Sequence, residues 1–193
     1  MTRLRPNILV TGTPGTGKST LASSLATVLS QHASAASSSL RDDWFEHIDI
    51  AKLVKERKFY EEYDEVLDTL VMDEDALLDH LEDYLGTGIR ESGGAILDSH
   101  ACDLFPERWI DIVVVLTCST ESLFDRLSRR GYSDRKRTEN IECEIMGVLV
   151  EEAQESYDAE IVHVLESNSI EDMDRNTEVV KQIVQQWIDS RSS

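Results

Sequence analysis

Asn7-Ile-Leu-Val-Thr-Gly-Thr-Pro-Gly-Thr-Gly-Lys-Ser19 runs from a short apolar segment straight into a glycine-rich turn. Its second part, Gly12 to Ser19, has the spacing G-x-x-x-x-G-K-[ST] of a loop that cradles the phosphates of a nucleoside triphosphate. The residue types follow from the chemistry. Glycines at 12, 15 and 17 permit backbone angles that a Cβ would block, so successive N–H groups can turn inward around phosphate oxygens. Lys18 is placed to reach the β- and γ-phosphates, and the Ser19 hydroxyl to ligate Mg²⁺. From Lys18 to Ser30 the apolar residues Leu21, Leu25 and Leu29 recur at helical spacing. A helix opening there points the positive end of its dipole at the same phosphates. Strand, loop and helix in that order predict a nucleotide-binding α/β domain.

Working outward, four more segments read as strands: Glu46–Ile50, Gly94–Asp98, Ile110–Leu116 and Glu160–Leu165. Helical spacing recurs at Asp73–Leu85, Thr120–Arg130, Glu139–Tyr157 and Ile170–Ser190. Strands alternating with helices predict βαβ units, hence a five-stranded parallel sheet with helices on both faces. The Ser/Ala-rich stretch His32–Ser39 reads as an exposed loop inserted before the second strand, and Ser190–Ser193 as a frayed end.

Composition narrows the partners. The chain has 193 residues, enough for one domain with a small attached lobe, and carries 19 basic against 38 acidic residues, a net charge of −19. Such a surface repels nucleic acid at long range and favours basic partners. A phosphate site must therefore be built locally, from backbone amides and a few Lys or Arg. Cys102, Cys118 and Cys143 are odd in number and widely spaced, which fits reduced thiols rather than a disulfide framework or zinc site. No apolar run approaches the ~20 residues of a membrane span, and Met1–Val10 lacks a signal-peptide pattern. The expectation is a soluble intracellular protein that does not engage a membrane.

A second chemical cluster follows the strand Gly94–Asp98. A carboxylate ending such a strand anchors Mg²⁺ or its water on the far side of the phosphates, which makes Asp98 the candidate partner of Ser19. His100, two residues on, could orient or deprotonate an attacking water or hydroxyl. His32, His47, His80 and His163 have no comparable setting and read as surface or core. Arg126, Arg129, Arg130, Arg135, Lys136 and Arg137 form the dense basic cluster of an acidic chain. Arginines folding over a transferring phosphoryl group stabilise its developing charge. Arg126 and Arg130 are the candidates, because i and i+4 share one helical face.

Taken with Asp98-Ser-His100, the motifs Cys102-Asp-Leu-Phe-Pro-Glu-Arg-Trp109, Arg130-Gly-Tyr132 and Asn140-Ile-Glu-Cys-Glu-Ile145 make the chain resemble adenylate kinase isoenzyme six, also called the coilin-interacting nuclear ATPase. The resemblance runs from about Pro6 to Trp187, with the Ser/Ala stretch as its main departure. It implies a small P-loop nucleoside monophosphate kinase: one domain over residues 1–193, an acceptor-binding lobe over 49–72 and a short lid over 129–139. It further implies broad-specificity adenylate kinase activity (ATP plus AMP giving two ADP), ATPase activity, and a role in small-subunit (18S rRNA) ribosome maturation in nucleus and cytoplasm. A basic small-subunit ribosomal protein would be the partner, on pre-ribosomal particles. By motif matching, Gly12, Gly15, Gly17, Lys18, Ser19, Thr20, Arg130 and Asn168 would hold the nucleotide. Lys18, Asp98, His100, Arg126 and Arg130 would be catalytic, with Ser19 and Asp98 on Mg²⁺. Where adenylate kinases present an arginine to the acceptor phosphate, the first helix after Asp49 offers Lys52, Lys55 and Arg57 instead. The alternative is an ATP-hydrolysing assembly factor whose kinase activity is vestigial.

Overall fold

The computed structural model describes residues 3–34, 45–64, 69–86 and 92–191. In chain order the elements are β1 (Ile8–Gly12), α1 (Lys18–Ser34), β2 (Glu46–Asp49), α2 (Ile50–Arg57), β3 (Tyr60–Asp64), β4 (Thr69–Met72) and α3 (Glu74–Gly86). These are followed by β5 (Ala95–Asp98), β6 (Ile112–Thr117), α4 (Thr120–Arg129), α5 (Asp134–Met146), α6 (Val148–Ser156), β7 (Val162–Glu166) and α7 (Ile170–Arg191). Five strands form one parallel sheet in the order β2-β5-β1-β6-β7. The expected sheet is therefore present, with β1 at its centre. The crevice at the carboxyl ends of such strands is where open α/β sheets bind ligands.

Alternate residues of each strand feed two cores. Ile8, Val10, Ile96, Val114 and Leu116 pack against Leu21, Leu25 and Leu29 of α1 and Val180 and Val184 of α7. Leu9, Leu97, Val113 and Val115 face the other way, against α2, α3, α6 and the buried Trp109. Burying each large aliphatic side chain contributes roughly 1.5–3 kcal/mol, so both sheet faces are firmly covered and β1 is a rigid base for the loop it delivers.

Three boundaries depart from the sequence expectation, each for a local reason. Ile50 opens α2 rather than ending a strand, because the Asp49 carboxylate caps the helix by accepting from Lys52 N at 2.9 Å. The helix expected at Glu139–Tyr157 begins at Asp134, where Ser133 accepts from Lys136 N, and it breaks at Gly147. Gly147 has φ 69°, a left-handed angle that ends α5 before α6 starts. Finally, α1 continues to Ser34, so the first residues of the Ser/Ala stretch are helical; residues 35–44 lie outside the described residues. An antiparallel hairpin, β3–β4, was not anticipated. It and α2 fall within the lobe expected at 49–72, of which 65–68 are outside the described residues. Among the described residues no helix is long and apolar enough to cross a membrane.

Candidate active site

The phosphate loop leaves the end of β1 and closes into α1. Gly12 has φ 140°, and a Cβ there would lie 2.3 Å from the Leu116 carbonyl oxygen of β6. Only glycine fits that close approach of two backbones. Lys18 bends back over the loop, its ammonium donating to the carbonyls of Gly12 at 2.7 Å and Thr13 at 3.2 Å. Burial drives its pKa down to about 8; Arg130 pushes the same way, while Asp98, Glu144 and Asp49 pull it back up. Arg130, at the end of α4, is thus within electrostatic reach of Lys18. Among the described residues its guanidinium has no hydrogen-bond or ion-pair partner. It is available for a phosphate.

Parallel register sets the carboxylates. Asp49 and Asp98 lie opposite each other at the ends of β2 and β5, both beside Lys18. Burial raises the Asp98 pKa, but hydrogen bonds from His47 and Ser19 and the charge of Lys18 outweigh it and hold the carboxyl below its usual value. Asp98 is buried and ionised. Its carboxylate and the Ser19 hydroxyl are hard oxygen donors side by side, a set that suits Mg²⁺, which takes one or two protein oxygens and completes its shell with water and phosphate.

His47, which the sequence reading passed over as surface or core, stands against Asp98. Its Nε2 lies 3.2 Å from Asp98 Oδ2. A lone histidine on a weak strand gave no signal; only the β2–β5 register, unknowable before the sheet order, brings it to Asp98. His100 is exposed and lies within electrostatic reach of Asp98 and Lys18. Desolvation and the Lys18 charge lower its pKa against the pull of Asp98, so the ring is neutral near pH 7 and able to accept a proton.

Arg126 is placed differently from its expected role. Its guanidinium donates to the carbonyls of Gly15 at 3.2 Å, Ser167 at 2.8 Å and Asn168 at 2.9 Å. It braces the phosphate loop against the loop after β7 rather than facing the phosphate position. The Asn168 side chain is likewise engaged, accepting from Ser119 N at 2.7 Å. Of the other basic residues, Arg135 pairs with Glu139 and Arg137 with Asp134, while Lys136 and Arg137 also lie over the rings of Tyr132 and Phe124. Thr20 sits exposed on the first turn of α1.

Beside the Asp49–Asp98 pair, a pocket of about 320 Å³ opens between β2, α2 and α3, lined among others by His47, Asp49, Lys52, Arg57, His80 and Tyr84. His80 presents an aromatic row, tilted against Phe59 and stacked on Tyr84. His47 lines this pocket and touches Asp98, whose carboxylate in turn meets Ser19 beside the phosphate loop.

Two solved structures that share this architecture are shikimate kinases. Shikimate kinase from Acinetobacter baumannii, in complex with shikimate, superposes with a TM-score of 0.61 at 16% identity, covering 94% of each chain. The enzyme from Bacteroides thetaiotaomicron gives 0.59 at 15%, over 93% of this chain and 98% of the other. At that identity the likeness shows the fold alone, the P-loop α/β fold of those enzymes. Sequence relatives are more specific. A family model described as an AAA domain matches residues 8–147. The adenylate kinase isoenzyme 6 homolog of Caenorhabditis elegans is 50% identical over 177 residues, covering 92% of this chain and 88% of the relative. That of Drosophila melanogaster is 40% identical over 184 residues, covering 95% and 94%. The chain belongs to the adenylate kinase isoenzyme 6 family of P-loop nucleotide kinases.

Proposed function

We propose that the chain transfers the γ-phosphoryl group of ATP to a nucleoside monophosphate, AMP foremost within a broad acceptor range, and that it also hydrolyses ATP. The observation that carries this reading is the junction at His47, where a pocket flanked by aromatic and basic side chains meets the Asp98 carboxylate beside the phosphate loop. In the transfer, the bond between the γ-phosphorus and its bridging oxygen breaks, and a phosphate oxygen of the acceptor takes its place. Lys18 leaves the Gly12 and Thr13 carbonyls for the β- and γ-phosphates, and Arg130 offsets charge on the equatorial oxygens. Backbone amides of Gly15 to Thr20, at the amino end of α1, hold the rest of the triphosphate. Lys52 and Arg57 face the acceptor phosphate, and the His80–Tyr84 stack faces its base. Magnesium, held from Ser19 and Asp98, would supply charge neutralisation across the phosphates. When water replaces the acceptor, neutral His100 orients it and takes its proton, giving ADP and phosphate.

Incubation with Mg²⁺–ATP, with and without AMP, tests the reading by comparing ADP formed with phosphate released. ADP in excess of phosphate only when AMP is present supports kinase action; phosphate equal to ADP in both cases supports a hydrolase with vestigial kinase activity. ATP left intact in both would refute the proposal.

A second observation supports the assembly-factor role in small-subunit ribosome maturation, in nucleus and cytoplasm. β3 presents Glu61, Glu62 and the half-exposed Tyr63 to solvent, and α3 adds exposed Asp79 and Asp83. Acidic side chains around an aromatic suit a basic ribosomal protein, with fast, salt-sensitive association. Reversing Glu61 and Glu62 to lysine should weaken binding of such a protein. Binding indifferent to salt and to the reversals would remove this surface from the account.

A further inference from the structure

Glu144 has no part in the chemistry above, yet both of its carboxylate oxygens are spent on the phosphate-loop region. Oε2 accepts from the Thr13 hydroxyl at 2.5 Å, and Oε1 accepts from Cys118 N at 2.7 Å, just past the end of β6. One side chain on α5 thus ties together two loops, at 131 and 26 residues' separation. Thr13 is a hub. Its side chain is buried, and its carbonyl accepts from Lys18 Nζ at 3.2 Å, from Thr16 N at 3.2 Å and from Thr16 Oγ1 at 2.9 Å. Whatever fixes Thr13 therefore fixes the turn that carries Gly15, and with it the resting place of Lys18.

The helix that supplies the carboxylate packs against α4 and α6. None of the residues of α5 is buried, and Ile145 and Met146 beside Glu144 are largely exposed. At that carboxyl end the two hydrogen bonds of Glu144 reach the phosphate loop and the loop after β6. The α5 segment also begins within the basic stretch at 129–139 expected to act as the lid.

From this juxtaposition we infer that Glu144 is a positioning residue: a clamp joining α5 to the phosphate loop, so that ordering of the loop by ATP and ordering of α5 are one event. A Gln can reproduce both contacts, its carbonyl accepting from Cys118 N and its amide donating to the Thr13 oxygen. An Ala can reproduce neither.

This inference rests on the reading that Gly12–Ser19 binds ATP, and needs no phosphoryl transfer. Its test is direct ATP binding by calorimetry on the full chain, with hydrogen exchange of α5 followed in parallel. Glu144→Ala should raise the ATP Kd about tenfold, the scale of losing one or two buried hydrogen bonds, and should abolish the ATP-induced slowing of exchange in α5. Glu144→Gln should stay within about twofold of the parent and keep that slowing. Thr13→Val removes the Thr13 bond alone and should shift the Kd in the same direction, with the double variant no worse than Glu144→Ala. This pair decides the matter if Glu144→Ala does not fold. Parent-like binding and exchange in the Ala variant, a Gln variant as impaired as Ala, or additive losses in the double variant would each overturn the clamp. A parent protein that binds no ATP would end the phosphate-loop reading and this inference with it, whereas a parent that binds ATP while the variants behave in any of those ways ends the clamp alone.

Discussion

ATP affinity should fall as the pH rises above 8, and Lys18 sets the size of the effect. In the empty protein burial and Arg130 hold its pKa at about 8. Triphosphate oxygens arriving at the ammonium restore the charged form, so above pH 8 a proton must be taken up with the nucleotide. Below pH 8 the proton is already present and affinity is flat. With a free-protein pKa of about 8 and a bound-state pKa near the ordinary lysine value, moving from pH 7 to pH 9 raises the Kd about tenfold. Folding runs in the opposite direction: between pH 8 and 10.5 the unfolded chain binds more protons, so this group's contribution to stability rises with pH. Calorimetric titration with Mg²⁺–ATP at pH 7, 8 and 9, in buffers of different ionisation enthalpy, reads both affinity and proton uptake. Lys18→Arg is the control, since a guanidinium stays charged throughout. Its absolute affinity depends on other contacts too, but its pH slope should vanish. Equal Kd at pH 7 and 9 for the parent, or identical slopes for parent and variant, would refute the reasoning.

Other substitutions probe separate parts of the site. Gly12→Ala forces a Cβ to 2.3 Å from the Leu116 carbonyl oxygen at a positive φ, and should destabilise the fold by roughly 2 kcal/mol or more; an unchanged melting temperature would contradict this. His47→Ala removes a hydrogen bond that lowers the Asp98 pKa, so the Mg²⁺ concentration for half-maximal turnover should rise, by roughly tenfold for the loss of a supporting partner. An unchanged Mg²⁺ requirement would show that His47 does not support Asp98. His100→Gly should lower ATP hydrolysis roughly 10²-fold with ATP affinity preserved, and a hydrolysis rate within twofold of the parent would demote the imidazole.

What could be read from the sequence was what short-range patterns encode. The phosphate loop announces itself because glycine spacing, the strand before it and the helix after it all lie within one stretch. Strand-and-helix alternation likewise suffices for a parallel sheet, and Asp98 follows from its place at a strand end. His47 and Glu144 were illegible for the opposite reason. Each acts across the sheet or from a helix onto a loop, on a partner 51 or 131 residues away. Arg126 shows how a correct helical face can still mislead: it shares a face with Arg130, but the neighbouring loop carbonyls capture its guanidinium. The β3–β4 hairpin was obscured by acidic residues in its first strand and by the register irregularity between Tyr60 and Glu62.

The central claim is that the Gly12–Ser19 loop and the pocket meeting at His47 form one phosphotransfer centre. Tracing a label from the γ-phosphate of ATP in the presence of AMP tests it most directly. The account predicts that label appears in the β-phosphate of ADP made from AMP, and that Lys18→Ala, with its fold intact by circular dichroism, transfers none. Label found neither in ADP nor in free phosphate with the parent protein, or transferred at the parent rate by Lys18→Ala, would contradict it.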